Sequence, residues 1–158
     1  MKAKVTYLPD EHHVMRHVKW KLLRKGDGGT NVIGFLPQAF ERGPDEEYLS
    51  VNWIEHGEGD WETRIRDSVW GIRRVRPSIG GGGKSRYAIG NVGKTKEVCE
   101  RNGARVRIPH EPEDKNLGHA GIRRLPRDDL TLLAASADEV FTGMVENVSF
   151  PAEPPPSE

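Results

Sequence analysis

Apolar and polar residues alternate along several stretches of the chain, and this pattern predicts β-strands. The clearest stretch is 47–55, in which Leu49, Val51 and Trp53 fall on one side and polar residues on the other. Shorter apolar or alternating runs predict further strands at 14–20, 31–36, 87–92, 104–109 and 144–150. Together these runs predict a sheet of about five to six strands.

Apolar residues repeat every three or four positions in other stretches and predict helices. The strongest of these helices begins at Asp128 or Asp129, since either side chain suits a helix N-cap. Another begins after Asp60 and ends before Pro77. A third, shorter helix is predicted over 94–101.

The order of these elements indicates the fold class. Strand, helix and strand follow one another over 47–92 and again over 87–109, which favours a mixed sheet covered by two or three helices. Glycine-rich turns between the early strands favour an antiparallel portion as well. We therefore expect an α/β or α+β fold of two layers, with a single globular domain over 1–150. Four prolines in residues 151–158 predict a disordered tail.

The composition is typical of a folded, soluble protein. Hydrophobic residues make up only 35% of the chain, but four tryptophans supply large apolar side chains that disordered chains usually lack. Cys99 is the only cysteine, which excludes an intrachain disulfide and a CxxC metal site. No apolar run approaches the roughly 18 residues of a membrane span, and none follows the N-terminus as in a signal peptide. We expect a cytoplasmic protein that uses no cofactor and no metal ion.

The charges are segregated along the chain although the net charge is zero. The net charge of successive segments is +4 over 1–30, −7 over 31–63, +9 over 64–107 and −6 over 108–158. Such blocks produce either a dipolar surface or oppositely charged segments that face each other across the fold. The sequence leaves both alternatives open.

The basic block surrounds a glycine-rich segment, 78–85, and is the first candidate binding region. Its candidate residues are Arg73, Arg74, Arg76, Lys84, Arg86 and Tyr87. Cationic side chains beside an aromatic ring suit contact with phosphates and stacking on a base. The alternative is a solvated helix face followed by a flexible loop. Two Gly-Lys-Ser/Thr sequences resemble the end of a phosphate-binding P-loop, but Ser78 and Ala88 stand where that motif requires its first glycine.

A polar segment with two histidines, 110–119, is the second candidate region. His110, Asn116 and His119 could act as acid, base or ligand near neutral pH. Arg16 on an early strand could join them as a cation. The alternative is a polar loop whose histidines bind backbone groups.

Three residues also resemble, in type and order, the arginine, serine and glutamate of some ADP-ribosyltransferases. They are Arg16, Ser50 and Glu55. The resemblance departs from that family's pattern because Ser50 stands in Ser-Val-Asn rather than Ser-Thr-Ser, and Glu55 in Glu-His-Gly rather than Glu-x-Glu or Gln-x-Glu. The activity of that family is therefore not inferred for this chain.

The sequence favours a small binding or accessory module that contacts a protein or a nucleic acid through its charged surfaces. The alternative is a small enzyme that uses His110, Asn116 and His119 with Arg16 on a substrate containing a phosphate or a nucleotide. The enzyme hypothesis predicts that these groups converge in one pocket. The binding hypothesis depends on where the basic block lies.

Overall fold

The structure, a computed structural model, describes residues 4–155. It contains seven strands and three α-helices in the described part of the chain. The strands are β1 (His13–Val18), β2 (Leu23–Lys25), β3 (Val32–Phe35), β4 (Tyr48–Trp53), β5 (Arg86–Asn91), β6 (His119–Arg123) and β7 (Gly143–Glu146). The helices are α1 (Trp61–Val75), α2 (Val92–Arg101) and α3 (Leu130–Ala135).

Five strands form the main sheet in the order β6-β4-β1-β5-β7, and β2 pairs with β3 in a separate hairpin. The α+β alternative is confirmed. Where a mixed sheet was expected, all the strand pairings found within 4–155 are antiparallel. The reason is that β4 and β5, which α1 connects, are both antiparallel to β1. They run parallel to each other, but β1 lies between them.

Helices cover both faces of the sheet, which gives one layer more than the two expected. Successive residues of β1 show why, because Val14 and Val18 enter the core on one face and Met15 enters the core on the other. The first face packs against α2 and α3, and the second packs against α1 through Val69 and Ile72. A strand that is apolar on both sides needs cover on both sides.

The predicted N-caps begin their helices as expected. Asp60 accepts a hydrogen bond from the Thr63 amide at 2.8 Å, and Asp129 accepts one from the Leu132 amide at 3.0 Å. The Thr63 amide also lowers the pKa of the Asp60 carboxyl. The last helix, α3, passes directly into a π-helical turn over Ser136–Val140.

Two strands, β2 and β6, were not predicted, and β6 matters for the site. Residues His119–Arg123 form β6 beside β4, whereas the polar loop was expected to extend to His119. The sequence His-Ala-Gly-Ile-Arg has little alternation and low β-propensity, so only its long-range pairing makes it a strand. The predicted strand over 104–109 instead makes isolated bridges, such as Arg107 with Arg123. The run at 144–150 is divided between β7 and a 3-10 turn over Asn147–Ser149.

The C-terminal segment was expected to be disordered from Pro151. Residues 151–155 form no helix or strand and are exposed, but they contact α1. The Trp70 indole and the Arg73 guanidinium each donate a hydrogen bond to the Pro151 carbonyl at 3.0 Å. The rest of the predicted tail, 156–158, lies outside the described residues. Within 4–155, no helix has the length and apolar character needed to cross a membrane.

Candidate active site

A small pocket lies on the face of the sheet that α1 covers. Its volume is about 40 Å³, and it is bounded by β1, β4, the start of β6 and the C-terminal end of α1. Its polar lining residues are Arg16, His17, Ser50, Asn52, Arg76, Asn116 and His119. They come from distant parts of the chain because β4 lies between β1 and β6 in the sheet.

Ser50 and His119 form a hydrogen-bonded pair at this pocket. The Ser50 Oγ and the His119 Nε2 are 2.8 Å apart, and the His119 Nδ1 is 2.8 Å from the Glu111 carbonyl oxygen. A carbonyl only accepts, so Nδ1 carries a hydrogen. In the neutral imidazole, Nε2 is then an acceptor for the Ser50 hydroxyl. This arrangement matches a hydroxyl nucleophile with an oriented general base.

The strand register holds the His119 ring in place. Asn52 lies opposite His119 and Ser50 lies opposite Gly121 in the β4–β6 ladder. The Tyr48 ring meets the His119 ring edge to face, with centroids 5.8 Å apart. His119 is only 4% exposed, so its imidazole is held between fixed groups and has little freedom to turn.

A reciprocal pair of amides closes one side of the pocket. Asn52 donates to the Asn116 Oδ1 at 3.0 Å, and Asn116 donates to the Asn52 Oδ1 at 2.7 Å. Both side chains are buried. Helix α1 can approach this pair because it has Gly71 there, where a Cβ would lie 2.5 Å from the Asn116 Oδ1. The pair ties the loop before β6 to β4 and so fixes the position of His119.

Arg16 leaves β1 on the same face as Val14 and Val18, and its guanidinium reaches the pocket at the Ser50 backbone without a carboxylate partner. Its Nε donates to the Ala39 carbonyl at 2.8 Å, and its Nη1 donates to the Ser50 carbonyl at 2.9 Å. Within 4–155, no carboxylate lies within ion-pair distance of this guanidinium. Burial, and then the charge of Arg76, lower the pKa of Arg16 to about 10, although Glu46 acts in the opposite direction. Arg16 therefore remains positively charged at neutral pH.

His17 contributes two unused polar atoms to the same pocket. Both ring nitrogens are buried, and neither has a hydrogen-bond partner among the described residues. Burial is the main cause that lowers the pKa of His17 to about 4, and the charges of Arg76 and Arg16 lower it further. The ring is therefore neutral at pH 7 and offers one donor and one acceptor. Buried polar atoms without partners are rare, so both nitrogens are available to bind a molecule that enters the pocket.

Arg76 adds a second cation at the mouth of the pocket. It is the exposed C-cap residue of α1, and its side chain makes no hydrogen bond or ion pair within 4–155. Its charge acts on both Arg16 and His17, as the pKa values of those residues show. The pocket is therefore electropositive, with a serine–histidine pair at its wall.

The structure does not bring His110 to this pocket. Its Nε2 is 2.7 Å from the Leu117 carbonyl oxygen, and its ring lies against Trp53 and His56. Burial, and to a smaller extent His110, lower the pKa of His56. His110 lines a different cavity. Of the four residues proposed together from the sequence, Arg16, Asn116 and His119 therefore converge in the pocket, and His110 does not.

The basic residues around the glycine-rich segment are also divided. Arg76 reaches the pocket, whereas Arg73 binds the Asn147 side chain and the carbonyls of Phe150 and Pro151. Tyr87 is completely buried, and its hydroxyl donates to the Asn147 Oδ1 at 2.7 Å. Its ring is therefore not available to stack on a base.

Ion pairs join the basic block to the acidic C-terminal block. The pairs are Arg74–Glu153, Arg86–Glu146 and Arg101–Glu139. Lys84 lies over the Trp20 ring, 5.4 Å from its centroid. Part of the charge segregation is therefore compensated across the fold, as in the second of the two alternatives left open by the sequence.

The structure also shows where the residues lie that resemble the P-loop and the ADP-ribosyltransferases. At the start of α2, the Lys94 amide binds the Asn91 side chain and the Gly93 amide binds the Asp10 carbonyl, so these amides do not face a phosphate. Arg16 and Ser50 lie together, but Glu55 binds the amide and the ring of His13 and does not line the pocket.

Comparisons with protein families, with curated proteins and with solved structures found no match to this chain. In the described residues, no group of three or more histidine, cysteine, aspartate or glutamate side chains is placed to hold a metal ion. The pocket itself is therefore the basis for inferring a function.

Three site residues were not selected from the sequence as site residues: His17, Ser50 and Asn52. The available signal was the alternation of β4, which places Ser50 and Asn52 on the polar side of an otherwise apolar strand. A polar side chain at a core position indicates a buried network. The partner of each polar residue could not be identified, because β6 was not predicted.

Proposed function

We propose that this protein is a small enzyme that acts on a substrate with an anionic, phosphate-type head group, with Ser50 as nucleophile and His119 as general base. The observation that carries the proposal is the hydrogen bond of 2.8 Å between the Ser50 Oγ and the His119 Nε2, beside the unpaired cation of Arg16. A hydroxyl nucleophile needs a base within about 2.6–3.2 Å, and this pair satisfies that distance.

The proposed reaction has two steps. First, His119 accepts the proton of Ser50 at Nε2 while the Ser50 Oγ forms a bond to the phosphorus of the substrate, and the bond from phosphorus to the leaving oxygen breaks. The leaving oxygen takes the proton from His119. Second, His119 deprotonates a water molecule that attacks the phosphoserine, and Ser50 recovers its proton as the phosphate leaves. The Glu111 carbonyl keeps the ring oriented throughout.

The cations supply the specificity for an anion. Arg16 and Arg76 stabilise negative charge that develops on the transferred group, and His17 donates or accepts a hydrogen bond. The volume of about 40 Å³ suits a small head group but not a whole nucleotide. The rest of the substrate therefore extends past Arg76 into the solvent.

The test has a chemical arm and a binding arm. A fluorophosphonate probe should phosphonylate Ser50, and peptide mass spectrometry should locate the adduct there. Ser50→Ala should abolish labelling and His119→Gln should reduce it by about a hundredfold, in the range of general-base contributions. Ser78→Ala, on an exposed loop, is the matched control and should label normally. Labelling that is absent in the unaltered protein, or equal in the His119→Gln variant, would contradict the proposal.

The binding arm uses inorganic phosphate as the probe. Titration should shift the His17 ring resonances in an NMR spectrum, and Arg76→Ala should weaken this binding by about tenfold, in the range of a charge-assisted hydrogen bond. Arg105→Ala removes an exposed arginine away from the pocket and should leave the binding unchanged. If phosphate causes no shift at His17, the proposed anionic head group is wrong. The role of Ser50 as nucleophile is then tested by the labelling experiment alone.

A binding or accessory module remains the second candidate function, and the small pocket volume favours it. In that case the Ser50–His119 pair fixes the β4–β6 edge and has no chemical role. Labelling of Ser50 decides between the two, because a structural serine in a strand does not react with a phosphonate. We also propose a cytoplasmic location, since Cys99 is a free, buried thiol whose pKa burial raises to about 11.

A further inference from the structure

A second, larger cavity lies outside the pocket, at the β6 edge of the sheet. It is a groove of about 830 Å³ between the first described residues, 4–7, and the segments 107–112 and 123–124. This volume falls within the range of about 300–1,000 Å³ that ligand sites occupy. The polar residues of the proposed active site do not line it.

The groove has cations that the fold does not neutralise. Arg123 is paired, because it lies 2.5 Å from the Glu111 carboxylate and 3.6 Å from that of Glu47. Lys4, Arg107 and Arg124 also line the groove, and none of them has an ion pair within residues 4–155. Glu47 and Glu111 also line the groove, so its four cations and two carboxylates leave a net charge of +2.

An exposed aromatic ring stands beside these cations. Tyr7 lines the groove and is 50% exposed, although its backbone is bridged to Pro109. The Arg107 Nη1 donates a long hydrogen bond to the Tyr7 hydroxyl at 3.4 Å. The Tyr7 ring is bound through its hydroxyl and is otherwise half exposed, so a nucleic-acid base can stack on its face.

The third feature of the groove is the unusual backbone conformation of Arg124. Its φ is +66°, and it is the only non-glycine residue within 4–155 with a positive φ. This conformation is unfavourable for an arginine, and such residues concentrate at binding sites. The side chain is exposed and makes no ion pair, so packing does not explain why an arginine stands where glycine or asparagine would be less strained.

We propose that this groove binds single-stranded nucleic acid, with Lys4, Arg107 and Arg124 on the phosphates and Tyr7 stacked on a base. Free cations beside an exposed ring suit a flexible strand whose bases are accessible. An acidic peptide would use the cations but leave the Tyr7 ring without a partner. The zero net charge of the chain implies weak and salt-sensitive binding.

The experiment measures the fluorescence anisotropy of labelled 12-mers of deoxythymidine and of uridine on titration with the full chain. With three phosphates neutralised, affinity should fall roughly 20-fold between 50 and 200 mM salt. A labelled duplex and an acidic peptide of equal charge should bind more weakly than the single strands. Equal or tighter binding of the duplex or the peptide overturns the proposal, as does no binding of either strand at 50 mM salt.

Three variants locate the site. Arg107→Ala and Tyr7→Leu should each weaken binding at least about fivefold, the lower limit for a stacked base. Arg124→Gly should weaken binding as well but should not lower the melting temperature, because glycine relieves the left-handed backbone. Arg105→Ala is the matched control: it removes an exposed arginine two positions from Arg107 that does not line the groove. If Arg105→Ala weakens binding as much as Arg107→Ala, the binding is non-specific and the groove is not the site.

This inference is independent of the proposed active site. The Ser50→Ala variant should bind the single-stranded 12-mers as tightly as the unaltered chain does. Loss of strand binding in Ser50→Ala would show that the strand occupies the smaller pocket and would overturn the placement in the groove.

Discussion

Protonation of His17 should make the folded state strongly sensitive to acid. The ring is neutral and its two nitrogens are buried, and its neighbours Arg76 and Arg16 are cations that oppose a further positive charge. Substitution of His17 by phenylalanine removes the titrating group and keeps an aromatic ring next to Tyr87, whose ring centroid lies 5.3 Å from that of His17. The variant should therefore lose the acid sensitivity that comes from this position.

The magnitude follows from the pKa in the two states. The pKa of His17 is lowered from 6.5 to about 4 on folding, so the unfolded chain binds a proton in a range where the folded chain does not. Well above pH 6.5, both states are neutral at this position and it contributes nothing to the pH dependence. As the pH falls from about 6.5 to about 4, the free energy of unfolding decreases, and by pH 5 this decrease is about 2 kcal/mol.

The assay is urea denaturation at pH 7.5 and pH 5, with the unaltered chain and His17→Phe measured side by side. The drop in unfolding free energy between the two pH values should be about 2 kcal/mol smaller in the variant. Arg76→Ala is a second probe: removal of this charge should raise the pKa of His17, which NMR titration of the ring measures directly. Equal drops in both proteins, or a His17 pKa near 6.5, would refute the reasoning.

Other consequences of the structure can be tested by simple substitutions and reagents. Gly71→Ala should destabilise the protein by about 1–3 kcal/mol in urea denaturation despite its better helix propensity, because the new Cβ would lie 2.5 Å from the Asn116 Oδ1; unchanged stability would contradict the tight amide pair. Asp60→Ala should lower the midpoint of urea denaturation through loss of the N-cap, whereas Asp67→Ala, in mid-helix, should lower it less. Cys99 should not react with iodoacetamide at pH 8 until the protein unfolds, since burial raises the pKa of its thiol to about 11; rapid alkylation of the folded protein would argue against this burial.

Local sequence patterns determined most of the helices and strands of this protein. The alternation in β4, the apolar stripe of α1 and the caps at Asp60 and Asp129 depend on neighbouring residues only. Such elements form because side chains repeat with the period of a strand or a helix, and because a cap side chain accepts hydrogen bonds from the first helical amides. Both features involve residues within about four positions of each other. These parts of the fold were therefore predictable.

The tertiary structure decided where those elements meet. His119 became a buried partner of Ser50 only because β6 pairs with β4 across 69 positions of the chain, and its own sequence gives little sign of a strand. His110, nine positions earlier, was equally plausible from the sequence, but its ring packs against Trp53 and His56 and it does not line the pocket. Charge segregation was visible in the sequence, yet pairs such as Arg74–Glu153 that compensate it depend on the path of the C-terminal segment. Long-range pairing is set by the packing of the whole core, so no local pattern could have assembled the pocket.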